Sequence, residues 1–100
     1  MKKTRPLSDV VQTAVNDLAS HLSVSVDTIE VVEARAVTWR SSALGCPQPG
    51  AFYMQALAEG ALVILRHGDQ AHRYHAGNDG VPFRCTASHP EEPMSVLNEE

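Results

Sequence analysis

One hundred residues, 43% of them hydrophobic, make one domain with a modest core and leave no room for a multidomain machine. The formal net charge is −4, and no Lys/Arg cluster appears beyond Lys2, Lys3 and Arg5, which speaks against a nucleic-acid-binding face. No stretch approaches the ~20 apolar residues of a membrane-spanning helix.

The opening MKKTRPLSDVV lacks an apolar run of signal-peptide length, so the sequence as written is expected in the cytoplasm. Residues 1–6 are polar, end in Pro6 and read as a flexible lead. Leu7, Val10, Val11, Ala14, Val15, Leu18 and Leu22 then recur at helical spacing. The spacing predicts an amphipathic helix over 9–21, with Ser8 as its cap and Asp9 in the first turn.

DTIEVVEARAVTW, 27–39, is rich in β-branched residues and reads as a long strand. Its alternation is broken: Ile29, Val31, Val37 and Trp39 share their parity with Glu33 and Arg35. Either a bulge near Val32 repairs the pattern or the middle of one face is solvated. FYMQALA and ALVILRH read as two further strands with Gly60 between them. HGDQ is a turn, AHRYHA a strand and GNDG a second turn. VPFRC closes the sheet on an edge, because Pro82 cannot donate to a ladder.

Residues 87–100 are polar, acidic and proline-containing, and are expected to be a mobile tail. The body, 7–86, is therefore a single α+β domain. It has two layers, one N-terminal amphipathic helix packed on a four- to five-stranded antiparallel sheet.

The rare residues gather in one connection, TWRSSALGCPQPGAFYMQ, which holds the only tryptophan, one of two cysteines and two closely spaced prolines. Pro47 and Pro49 keep Cys46 and Gln48 extended, while Gly45 and Gly50 permit bends at the margins. One reading is a rigid crossover whose aromatics plug the core. The other is a preorganised recognition loop whose binding residues are Trp39, Arg40, Leu44, Pro47, Gln48, Pro49 and Tyr53. The two are compatible.

Cys46 and Cys85 stand 39 positions apart, and are expected to meet as a disulfide or as two packed thiols. A nucleophilic Cys46 is poorly supported, since Pro47 offers no backbone N–H and no helix begins there. His67, His72 and His75 cluster in sequence, but His72 and His75 point to opposite faces of a strand. A site of Cys46, Cys85 and His75 lacks a fourth ligand for zinc. No metal and no cofactor is therefore expected, and His75 reads as a half-buried polar partner bonded to backbone. Hydrolase, phosphate-loop and metalloprotease motifs are absent from the sequence.

Trp39, Leu44, Gly45, Cys46, Pro47, Pro49, Gly50, Tyr53, Gly60, Tyr74, His75 and Cys85 form the pattern W-x4-LGCP-x-PG-x2-Y, then YH and a terminal C. This pattern resembles a small family of uncharacterised bacterial domains, over about Leu18 to Cys85. The resemblance implies a shared ancestry and a candidate surface, and relatives that are often exported or lipid-anchored. It implies no activity.

The function expected is that of a small non-enzymatic binding module, inhibitor-like in its sharpest form, for an unknown protein or small-molecule ligand. A thiol-dependent enzyme or metal site built on Cys46, His75 and Cys85 is the first alternative. A structural domain, monomeric or weakly dimeric through an edge strand, is the second.

Overall fold

The computed structural model describes residues 5–94. Helix α1, Leu7–Leu22, buries Val10, Ala14, Val15, Leu18 and Ala19 along one stripe. It starts two residues earlier than expected. Pro6, not Ser8, is the capping position, and its carbonyl accepts from the N–H groups of Asp9 and Val10 at 3.0 and 3.2 Å. Proline suits this place because its fixed φ leads into the helix and its missing N–H is not needed there.

A single 3-10 turn, Val26–Thr28, leads into four strands: β1 Glu30–Trp39, β2 Ala58–His67, β3 Gln70–Ala76 and β4 Phe83–Cys85. They form one sheet in the order β1-β2-β3-β4, and every neighbouring pair is antiparallel. The molecule is thus an α+β fold with one N-terminal helix on a four-stranded antiparallel sheet. β2 and β3 are joined by a two-residue hairpin at Gly68 and Asp69, with Gly68 at φ 60° as this turn demands of its first residue.

The register of β1 slips between Val31 and Glu33, so a bulge sits at Val32. The extra residue exchanges the two faces. Ile29 packs toward the helix, while Val37 and Trp39 pack on the opposite side. Glu33 and Arg35 share that opposite side and form an ion pair at the surface.

FYMQALA is not a strand; only its last residue, Ala58, enters β2. Nor does Gly60 separate two strands, since β2 runs through it and pairs it with Val37. A side chain there would lie 1.9 Å from the carbonyl oxygen of Ala76. Gly60 therefore marks a close approach inside one strand rather than a break between two.

Val10, Ala14, Val15 and Leu18 of the helix close over Ala61, Val63, Leu65, Tyr74 and Ala76 of the sheet. The buried Tyr74 hydroxyl donates to Asp17 at 2.7 Å, tying helix to sheet. Burial and this bond push the phenol well above its ordinary pKa. On the other face Val37, Trp39 and Leu62 form a smaller cluster with Leu44, Ala58 and Ile64.

Both ends of the described chain are tied down where loose segments were expected. Arg5 donates to the Gly80 carbonyl at 3.1 Å and to the Thr13 hydroxyl at 2.7 Å. At the other end, Glu91 N–H donates to the Gly45 carbonyl at 2.8 Å and Met94 N–H to the Thr38 carbonyl at 2.9 Å. Glu92 pairs with Arg73 at 3.1 Å, and Pro93 is buried. Residues 87–94 thus form a strap across the loop side of the sheet. Residues 1–4 of the expected lead and 95–100 of the expected tail lie outside the described residues. Among the described residues no helix is long and apolar enough to cross a membrane.

Candidate functional site: the clasped loop

β1 delivers Trp39 into the small cluster, where it is 0% exposed. Two glycines make its seat. A side chain at Gly45 would stand 2.3 Å from the indole ring, and one at Gly60 would stand 2.9 Å from its nitrogen. The indole N–H donates to the Ala76 carbonyl at 2.9 Å, as a buried donor must find an acceptor. Trp39 therefore offers no face to a ligand. The expectation that it contacts a partner gives way to a structural role, because the loop folds over it.

His75 stacks on Trp39 with ring centroids 4.5 Å apart and planes 18° from parallel. It is fully buried rather than half-buried. Its Nδ1 lies 2.7 Å from the Leu44 carbonyl oxygen, and its Nε2 lies 3.1 Å from Arg73 Nε. A carbonyl can only accept and a guanidinium can only donate. His75 is therefore neutral, with its proton on Nδ1. Burial lowers its pKa below 6.5; the Leu44 carbonyl opposes this and the Arg73 charge adds to it.

Leu44 is the residue through which the loop reaches His75. It adopts the left-handed region at φ 55°, uncommon for a side chain of its size, and Gly45 follows at φ 75°. These two turns aim the Leu44 carbonyl at His75 and bring Cys46 to β4. Cys46 and Cys85 form a disulfide with Cα atoms 5.8 Å apart. Both sulfurs are committed to that bond, so in this form neither is a thiolate nucleophile or metal ligand. Among the described residues no group of three or more His, Cys, Asp or Glu side chains is placed to hold a metal ion.

Beyond the clasp the loop turns outward. Ala51 N–H donates to the Gln48 carbonyl at 3.2 Å across Pro49 and Gly50, with Gly50 at φ 80°. Proline followed by a left-handed glycine is the signature of a type II turn. The Tyr53 hydroxyl accepts from Gln48 N–H at 3.0 Å and braces the turn from behind. Ser42 then grips Met54 twice, giving its N–H to the Met54 carbonyl and accepting the Met54 N–H on its hydroxyl, both at 2.9 Å.

So held, the loop shows its apolar residues to solvent: Phe52 is 99% exposed, Met54 71% and Leu57 64%. Beside them lies a cleft of about 590 Å³ between loop and strap, lined in part by Arg40, Pro47, Tyr53, Glu91 and Glu92. Of the binding residues expected from sequence, Arg40, Pro47 and Tyr53 meet in this cleft, and Gln48 and Pro49 stand exposed on the turn. Leu44 is turned inward with Trp39. Phe52, Met54 and Leu57 were missed as surface residues because a strand-like run leads one to expect half of them inside.

The family model described as a domain of unknown function, DUF8738, matches residues 11–85, the span that holds the helix from its second turn onward, the sheet and the whole loop. No curated protein and no solved structure matches the chain.

Proposed function

We propose that this chain, which belongs to the DUF8738 family of domains of unknown function, is a small non-enzymatic binding module that docks a protein partner on the outer part of its clasped loop. The observation that carries the reading is Phe52, 99% exposed on a segment fixed from several sides. The disulfide, the type II turn, the Tyr53 brace and the Ser42 grip hold that segment before any partner arrives. A loop already ordered loses little entropy on docking, and a large exposed aromatic beside a cleft is a natural anchor. An inhibitor-like role is the sharpest form of this reading. The disulfide also favours work in an oxidising compartment, where such bonds persist.

A photo-crosslinking residue at position 52, and at Asp69 in the β2–β3 hairpin as control, tests the proposal in cells. A discrete adduct at 52 that is absent at 69 supports it; no adduct at 52, or the same adducts at both, overturns it. Phe52→Ala is expected to abolish that partner's capture while changing stability by no more than about 0.5 kcal/mol, because the ring buries nothing in the free domain.

A further inference from the structure

The loop's cleft is closed on one side by the strap, and the strap is fastened at a point that depends on a proton. Glu92 is held by Arg73 Nη1 at 3.1 Å. Arg73 in turn is held by its Nε–H, which donates to His75 Nε2 at 3.1 Å. Its remaining nitrogen, Nη2, is buried without a partner among the described residues. Arg73 therefore keeps its place through two bonds, one to the strap and one to the unprotonated face of a buried histidine.

We propose that His75, Arg73 and Glu92 form a pH-sensitive fastening: protonation of His75 expels Arg73 and loosens the strap over the cleft. A proton added at Nε2 turns the acceptor that faces Arg73 Nε–H into a second donor. Two donors and two positive charges then meet at 3.1 Å beside a ring with no exposure to water. The bond from Nδ1 to the Leu44 carbonyl survives, since an imidazolium donates there more strongly. The loop's inner clasp thus stays shut while the strap loses its side-chain fastening and is left on its two backbone bonds and Pro93.

Among the described residues the groups around His75 allow no other relief. Trp39 of β1 stacks on one side, Leu62 of β2 is its pairing partner, and Phe83 of β4 lies tilted at 6.2 Å. The charged groups acting on it are Arg73 of its own strand and Glu92 of the strap. Among the described residues Glu92 is the one group that could neutralise an imidazolium, and reaching it means leaving Arg73. The lowered pKa of His75 sets the event on the acid side of an ordinary histidine.

This rests on the binding reading only in giving the opened cleft a use; the fastening itself is tested without a partner. Trp39 is the only tryptophan and stacks on His75, so its emission reports the imidazole directly. Emission should fall in acid with a midpoint below 6.5. In the same titration the amide resonances of Glu91 and Met94, which bond to Gly45 and Thr38, should move with that midpoint. Glu92→Gln, at an exposed position, should keep the emission change and uncouple the strap amides from it. His75→Gln, if folded, should remove both. Strap amides that stay fixed while Trp39 emission titrates, or that titrate unchanged in Glu92→Gln, overturn the proposal. Such a result leaves the docking surface intact, whereas a failed crosslink at position 52 removes the docking reading and leaves the fastening.

Discussion

Gly45 and Gly50 make the same demand on the backbone, at φ 75° and 80°, and meet opposite surroundings. A side chain at Gly50 would find nothing within 4 Å, while one at Gly45 would press into Trp39 at 2.3 Å and the Glu91 carbonyl at 2.9 Å. Gly50→Ala should cost the left-handed penalty alone, about 1–2 kcal/mol. Gly45→Ala should add the cost of overpacking, roughly 1–3 kcal/mol more. Urea unfolding separates them, and equal losses would mean that the loop does not lean on the indole. Gathering rare residues in one connection is a legible signal, and so is the meeting of the two cysteines, Cys46 and Cys85, though not whether they bond or pack as thiols. The direction of Trp39 is not legible, because an aromatic at a strand end fits a core and a surface equally well. The clue lay in Gly60, a glycine inside an apolar strand, which more often marks a close neighbour than a break.

The elements divide in the same way. Helix α1 and the bulge of β1 could be read because periodicity and its failure are written in side-chain polarity. The strap could not, because backbone N–H groups and one ion pair hold it, and composition is blind to both. A polar, acidic stretch looks like a solvated tail whether or not its amides find carbonyls. Likewise 52–57 has strand composition but spends its backbone on a brace from Ser42. Two truncations decide whether the strap matters. Ending the chain after Met94 leaves every described contact in place, whereas ending it after Ser88 removes the bonds to Gly45 and Thr38, the Arg73–Glu92 pair and the burial of Pro93. Each net hydrogen bond is worth about 0.5–1.5 kcal/mol, offset in part by the entropy of ordering the segment. The shorter chain should therefore be less stable than the longer by more than about 1 kcal/mol, with Trp39 emission shifted to the red. Identical midpoints and spectra would return these residues to the status of a tail.

For the whole molecule, two independent agents act on the loop end of the sheet, and their sizes can be compared. The Cys46–Cys85 bond closes a loop of 39 positions, which the chain-entropy account values at about 4 kcal/mol. For a domain of this length that corresponds to a fall in Tm of roughly 15–30 °C on reduction. Acid works through the histidines. Burial lowers the pKa of His75, and burial with the neighbouring Arg84, His21 and His67 lowers that of His72. An unfolded chain takes up protons at these sites near 6.5, whereas the folded protein resists them. The stability they carry is therefore fully present above about pH 6.5 and is lost as pH falls from there toward the lower folded-state values. For the fully buried His75 the slope is at most about 1.4 kcal/mol per pH unit. Reduction at pH 7.5 should thus lower Tm by more than a change from pH 7.5 to 5.5 does in the oxidised protein. The two effects should also fail to add, because Cys85 is the β4 residue paired with Arg73 and both agents loosen one contact region. Thermal melts of oxidised and reduced protein at both pH values form a complete cycle. An oxidised Tm that stays constant between pH 7.5 and 5.5 would contradict a neutral, buried His75. A strictly additive cycle would place the disulfide and the histidine in separate parts of the fold.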